Sequence, residues 1–435
     1  MVVFSKKIRT MNFVEELQWR GMLHNSIPET EAHLNAQMRK AYIGFDPTAS
    51  SLGVGNMVQI MTLLHFQQSG HKPVALIGGA TGMVGDPSGK SAERNLLGEE
   101  ELRYNQECQQ KQLERFLDFN CGDRSAEIVN NYDWFKEMGF LEFIRDVGKR
   151  LTVNYMMAKD SVKNRISGED KEGMSFTEFT YQLIQGYDFY YLWKNHGITL
   201  QMGGSDQWGN ITTGTELIRR IDGGSAFALT TPLIKKADGT KFGKTESGNV
   251  WLDAARTSPY KFYQFWLNAS DEDVKNFIRI FTLKGKEEIE ALEAAHALDP
   301  GMRALQKALA EDITTRVHSA ADTTQAIQAS GILFSKDSAF DSLPKEMLLD
   351  IIEGVPQGTA SKTEIEAGAD IIDVLVNSGF LPSKGEARRA LQENSIAVNK
   401  QKVTLESRVN ASHLIHGELI ILQRGKKNYF LLKCL

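Results

Sequence analysis

Twice before residue 90 a short apolar run gives way to a glycine-rich loop, and that repetition restricts the chain to few architectures. Residues 41–45 read as a strand that turns at Asp46-Pro47-Thr48. The chain then passes through a small-residue loop carrying Gly53 and Gly55 and enters an amphipathic helix predicted over 57–68. Gly70 marks a helix stop, after which 73–77, apolar throughout, reads as a buried parallel strand. That strand opens into Gly78-Gly79-Ala80-Thr81-Gly82 and then Gly85-Asp86-Pro87-Ser88-Gly89-Lys90. Strand, glycine loop and helix in alternation build a doubly wound α/β sheet, which binds ligands at the carboxyl ends of its strands. Glycines at a helix start let a ligand approach the backbone, and the helix N-terminus favours anions such as phosphate. The glycine spacing does not match a dinucleotide fingerprint, so no nicotinamide cofactor is inferred.

With 435 residues the chain exceeds one ordinary core and predicts two or three domains. The α/β pattern occupies 1–255, and a helical pattern runs over 256–340. Pro344, Gly354, Pro356, Gly358 and Gly368 then suggest a linker over 341–368. A small α+β domain over 369–435 closes the chain, and its second helix is expected to begin at Ser383 with a capping box to Glu386. The charge is uneven. Residues 369–435 hold ten Lys and Arg against six Asp and Glu, a net of +4 in a chain whose total is −5. A basic tail on an acidic body fits an appended module for a polyanion. Three cysteines without C-x-x-C spacing indicate neither a disulfide framework nor a zinc site, and no residue is assigned to a metal. No apolar stretch reaches the length of a signal-peptide core or a membrane span, so a cytoplasmic protein is expected.

Three motifs carry chemistry. Tyr181, Gln185 and Asp188 fall on one face of a predicted helix, with Phe179, Leu183 and Tyr187 on the other. A phenol, an amide and a carboxylate so grouped suit an ammonium or a phenol, although a hydrated helix face has the same pattern. The string Gln201-Met-Gly-Gly-Ser-Asp-Gln-Trp-Gly-Asn210 delivers an apolar strand, through Gly204, Asp206 and Gln207, to a helix start suited to a ribose and phosphates. Lys241-Phe-Gly-Lys-Thr245 sets two lysines on a glycine-flanked loop that can neutralise charge on a leaving phosphate.

Together these strings resemble the bacterial tyrosyl members of the class I aminoacyl-tRNA synthetases. Residues 42–56 resemble the first class I signature, and Lys241–Thr245 the second. The order of Gly85–Lys90, Asn131-Tyr-Asp-Trp134, Ser175–Phe179, Gln264-Phe-Trp266 and Arg424-Gly-Lys-Lys427 matches as well. One position departs: the first histidine of the signature is Gly53 here, and the second is Asn56.

The resemblance implies a Rossmann-like catalytic domain, a helical domain and a ribosomal-protein-type RNA-binding domain. It implies that tyrosine and ATP with Mg²⁺ form tyrosyl-adenylate, which then charges tRNA(Tyr) on a homodimer. Tyr42 and Asp188 would meet the substrate phenol, and Asp86, Tyr181 and Gln185 its ammonium. Gln207 would lie by the carboxylate. ATP would contact Asp46, Gly53, Gly55, Asn56, Gly204, Asp206 and Lys244. Thr48, Lys90, Arg94, Lys241, Lys244 and Thr245 would surround the phosphates. Arg219 and Arg220 would touch the acceptor arm of tRNA, and Lys384, Arg388 and Arg389 a more distant part. A tryptophanyl enzyme shares this fold, but Tyr42 and Asp188 suit a phenol. The other rival is a catalytically impaired paralogue that survives as an RNA-binding protein, with Gly53 as its support.

Overall fold

The computed structural model describes residues 11–88, 97–167, 173–245, 248–332, 340, 343–353, 355–425 and 428–435. Both expected strands form, as β2 (Lys40–Phe45) and β3 (Lys72–Ile77). They join β1 (Asn25–Ser26), β4 (Glu127–Asn130), β5 (Leu200–Gly204) and β6 (Phe227–Thr231) in one sheet of order β1-β6-β5-β2-β3-β4. All neighbours are parallel except β1, an antiparallel edge strand that the sequence did not announce. The strand order reverses between β2 and β5, the point at which such a sheet opens its ligand crevice. These two strands pair only at Ala41–Leu200 and Tyr42–Gln201 and then part, whereas β2 and β3 pair along their full length. Asp46 and Gly204 therefore stand on opposite lips of a cleft.

The Met57–Gln68 helix differs from the amphipathic expectation, because ten of its twelve residues are buried. The Phe13–Trp19 helix and the Asp271–Phe281 helix pack on the sides that the sheet leaves uncovered. A helix covered all round need not show an apolar stripe.

The described residues divide into two compact units. One comprises the residues up to Thr257 together with Phe265–Val317; the other comprises Ser258–Gln264 and His318–Leu435. The helical stretch is thus shared between the units and does not form a domain of its own. The segment expected as a linker is folded: it holds the helices Lys345–Ile351 and Lys362–Glu366 and the strand Gln357–Ala360. That strand lies parallel to Asn428–Cys434 at the edge of a five-stranded sheet. Gly358 is there for closeness and not for flexibility, since a Cβ would come within 2.2 Å of the Ser378 carbonyl. Further on, the Ser383 hydroxyl accepts the Glu386 N–H as a capping box requires. The Glu386 carboxylate, however, takes the Arg424 guanidinium at 2.6 Å.

Candidate active site

The first wall of the cleft is the Phe176–His196 helix. Ser175 and Glu178 close a reciprocal capping box at its start, and Gly197 ends it in a left-handed conformation. A buried ion pair between Glu178 and Arg165 fixes the first turn. Tyr181 and Asp188 are buried and Gln185 half-buried, so this is no hydrated face.

Asp188 is only 1 % exposed, and two donors hold its oxygens: the Asn131 amide at 3.0 Å and the Trp134 indole N–H at 2.9 Å. Tyr191 stacks on Trp134 at 4.6 Å and keeps that indole in place. Burial pushes the Asp188 carboxyl up to about 8; the two donors oppose the shift and the Asp46 charge adds to it. A phenol O–H arriving as a further donor favours the charged form, because it hydrogen-bonds the carboxylate.

Tyr42 and Gln201 lie opposite each other on β2 and β5. The Tyr42 hydroxyl and the Gln201 side-chain amide oxygen are both buried without a hydrogen-bond partner among the described residues. Burial raises the Tyr42 phenol well above its usual range, and the nearby Asp188 charge adds to the rise. Buried polar atoms are rarely left so, and a ligand's polar group is what such atoms can pair with.

Tyr181 enters this region by way of Asp46, with the Asp86 charge close by. Its hydroxyl donates to Asp46 at 2.8 Å, and Thr81 donates to the other Asp46 oxygen at 2.7 Å. Asn131 in turn donates to Thr81 at 3.1 Å, so Asp46, Thr81, Asn131 and Asp188 form one chain. Asp86 joins a second network: it accepts from the Ser88 backbone N–H at 2.9 Å and from Gln207 at 2.8 Å. Asn210 links Gln207 to Gln185, at 3.3 and 3.0 Å. Asp206 stays exposed at the mouth; withdrawal of its carboxyl from water raises its pKa even so. Asp46 and Tyr181 in one network, and Asp86, Gln207 and Gln185 in the other, thereby stand beside the buried Tyr42 and Asp188.

The two glycine loops meet at its rim. Gly53 forms a β-bridge with Trp251, the Val54 N–H donates to the Val250 carbonyl at 3.0 Å, and the Gly53 N–H donates to Asn56 Oδ1 at 3.0 Å. Thr48, Gly55, Asn56, Lys241 and Lys244 are exposed here. Lys90 and Arg94 lie outside the described residues, as does the side chain of Thr245; Thr245 itself pairs with Gly248 in a short hairpin. Arg219 and Arg220 share Glu216, and Lys384 pairs with Asp373, while Arg388 and Arg389 stand exposed.

Several supporting residues escaped the sequence reading. Asn131 and Trp134 were visible as a string but without a role. Asn105, Gln109 and Gln112 sit on the strongly charged Glu99–Phe116 helix and hold the 47–52 loop. Asn105 donates to the Pro47 carbonyl at 3.2 Å, Gln109 to the Ala49 carbonyl at 3.0 Å, and Gln112 accepts from the Leu52 N–H at 2.8 Å. Their signal was amides at helical spacing among Leu102, Leu113 and Phe116, which marks them as the buried face.

A cleft at the switch point, two glycine loops, a helix-borne polar pocket and a lysine hairpin define a class I synthetase site. Residues 35–335 match the model of "tRNA synthetases class I (W and Y)", and residues 348–432 that of the "Tyrosine--tRNA ligase SYY-like C-terminal domain". A tyrosine–tRNA ligase of Cytophaga hutchinsonii is 59% identical over 427 residues, 97% of this chain and 99% of the relative. One of Bacteroides thetaiotaomicron is 58% identical over the same shares. Among solved structures, a C-terminally truncated mitochondrial tyrosyl-tRNA synthetase of Aspergillus nidulans superposes with a TM-score of 0.67 at 30% identity, covering 74% of this chain and 94% of that one. The chain belongs to the tyrosine–tRNA ligase family.

Proposed function

We propose that this protein joins L-tyrosine to tRNA(Tyr) through tyrosyl-adenylate, consuming Mg²⁺-ATP. The observation that carries the reading is the buried pair of Tyr42, whose hydroxyl has no partner among the described residues, and Asp188, held by Asn131 and Trp134. A substrate phenol seated there donates to Asp188 and accepts from Tyr42. Asp86 and the Tyr181–Asp46 pair offer negative charge and acceptors to the ammonium, with Gln185 beside them. Gln207, bonded to Asp86, lies where the carboxylate and α-phosphate come together. Asp206 takes the ribose hydroxyls.

In the first step the tyrosine carboxylate oxygen forms a bond to the α-phosphorus, and the bond to pyrophosphate breaks. The substrate brings its own nucleophile, so the protein contributes position and electrostatics. Thr48, Asn56, Lys241 and Lys244, with Lys90, Arg94 and Thr245, receive charge that moves onto pyrophosphate. Mg²⁺ would belong to the substrate as counter-ion of the triphosphate and would offset part of its charge. In the second step a ribose hydroxyl of the terminal tRNA adenosine attacks the tyrosyl carbonyl and AMP leaves. Arg219 and Arg220 serve the acceptor arm, and Lys384, Arg388 and Arg389 give phosphate contacts that position RNA without reading sequence.

A homodimer accords with Phe140, Leu141, Val153, Ile166 and Phe176, large apolar side chains 51–80 % exposed between residues 140 and 176. No helix among the described residues is long and apolar enough to cross a membrane, and the three cysteines are free; we place the protein in the cytoplasm. Against an impaired RNA-binding paralogue stands the tyrosine pocket itself, whose buried carboxylate and its two donors would serve no purpose in a protein that only binds RNA.

The reading is tested by tyrosine-dependent exchange between pyrophosphate and ATP, which the protein is expected to support. Asp188→Ala is expected to erase most of the preference for tyrosine over phenylalanine. Enzymes of this type are themselves the standard example of such a preference, which reaches ~10⁵. An unchanged ratio of kcat/KM for the two amino acids sinks the assignment of Asp188.

A further inference from the structure

Phe242 sits between the two lysines of the hairpin loop, and its ring is not in the cleft. It stacks on Phe281 at 5.2 Å with planes 15° apart, and packs on Phe277 at 4.9 Å and on Phe265 and Trp266 at 5.8 Å each. Trp266, Phe277 and Phe281 are buried, so the half-buried ring between two exposed lysines is lodged in the core of the neighbouring helices. The next residue has a second seat. Gly243 has φ +83°, and a Cβ there would lie 3.0 Å from Val54 Cγ2 and 3.4 Å from the Gly55 nitrogen. Its carbonyl accepts the Val250 N–H at 3.0 Å. The middle of the lysine loop is therefore held on one side by an aromatic cluster and on the other by the first glycine loop.

We propose that Phe242 is a positioning residue for adenylate formation: anchored in this cluster, it fixes where Lys241 and Lys244 present their ammonium groups. Consecutive Cα atoms are ~3.8 Å apart, so an anchor at Phe242 confines the Lys241 Cα to one peptide's reach and the Lys244 Cα to two. Both lysine side chains are exposed and long, and without the anchor their heads would sample a wide volume of solvent. Charge stabilisation of a departing phosphate depends on groups already in place when charge develops. The cluster also links the loop to the Asp271–Phe281 helix, which packs on the Met57–Gln68 helix behind the first glycine loop. Both phosphate-facing loops thus share one support.

The inference rests on the ligase reading, and the test separates the two. Single-turnover adenylate formation and tyrosine affinity are measured for the parent, Phe242→Ala and Phe242→Met, alone and combined with Lys241→Ala and Lys244→Ala. A parent without tyrosine-dependent activity indicts the ligase reading. With an active parent, Phe242→Ala is expected to slow adenylate formation by ~10²-fold, the scale of a small misplacement, while tyrosine affinity stays within about twofold. Methionine fills irregular apolar gaps, so Phe242→Met is expected to recover most of the rate. If Phe242 acts through the lysines, the alanine change adds little to a variant already lacking both. Should Phe242→Ala fail to fold, Phe242→Leu carries the same comparison. Unchanged rate, additive effects with the lysine changes, or a rate loss matched by equal losses of tyrosine affinity and melting temperature would each overturn the proposal.

Discussion

Gly53 leaves the first glycine loop without a side chain where the pattern it resembles has a histidine. Its main chain is well held, by the bridge to Trp251 and by Asn56 Oδ1. Asn56 thereby commits its oxygen and keeps its amide N–H groups to donate. A Cβ at Gly53 would lie 3.3 Å from the Val250 carbonyl, so a side chain enters if the neighbour gives by a few tenths of an ångström. Removing one donor aimed at transition-state charge typically lowers a rate by ~10²–10³. We expect Gly53→His to speed single-turnover adenylate formation at least ~10-fold, a cautious part of that range, with tyrosine affinity little changed. A folded histidine variant that is no faster than the parent shows that the loop already has its donor. At this scale the sequence was most legible where a residue is proposed to meet the substrate. Tyr42, Asp188 and Gln207 belong to strings whose order speaks for itself. Asn131 and Trp134 do not touch the proposed substrate site; they hold Asp188, and nothing short of the fold brings residue 131 beside 188.

Between elements, one buried cation does an unusual amount of joining. Arg20 follows the Phe13–Trp19 helix and is 2 % exposed. Its guanidinium pairs with Glu16 at 2.8 Å and donates to the carbonyls of Arg279, Thr282 (3.0 Å) and Lys284 (2.7 Å). It thus caps the C-terminal end of the Asp271–Phe281 helix, the element that carries Phe277 and Phe281 beneath the lysine loop. Burial lowers its pKa and Glu16 opposes that shift. Breaking a buried ion pair by replacing one partner costs ~3–5 kcal/mol. Arg20→Met is expected to destabilise the protein on that scale, read as a lower denaturant midpoint, and Arg20→Met with Glu16→Met to lose clearly less. Equal losses in the single and double variants show that the carbonyl contacts, not the charge pair, dominate. Sequence patterning could not show this joint, because an arginine after a short helix reads as surface. The same limit explains the misjudged linker. Prolines and glycines at 344, 356 and 358 read as flexible, yet Pro344 starts the Lys345–Ile351 helix and Gly358 permits close packing.

The described residues form two compact units, and the proposed tyrosine site lies wholly within one of them. Every residue proposed to meet tyrosine or ATP precedes Val250. The second unit carries the basic helix with Lys384, Arg388 and Arg389, in a stretch of net charge +4. On the proposed site, adenylate formation is expected to need only the first unit, and transfer the affinity that phosphate contacts supply. Strand pairing inside the second unit decides where to cut. Ending the chain at 368 would remove Asn428–Cys434, the partner of the Gln357–Ala360 strand, and leave that edge unpaired. A cut after Leu343 removes both strands together. We expect the chain shortened at 343 to keep tyrosine-dependent exchange within about threefold of the parent, while kcat/KM for tRNA falls by ~10²-fold or more, since three lost phosphate contacts remove a salt-dependent share of affinity. Salt supplies the second readout. Log kcat/KM for tRNA against log salt should fall less steeply in the shortened chain, by ~0.7–0.9 per lost contact. The chain ended at 368 should express with more aggregation than the one ended at 343. Undiminished tRNA charging by the shortened protein, or an unaltered salt slope, would give the second unit some task other than holding RNA.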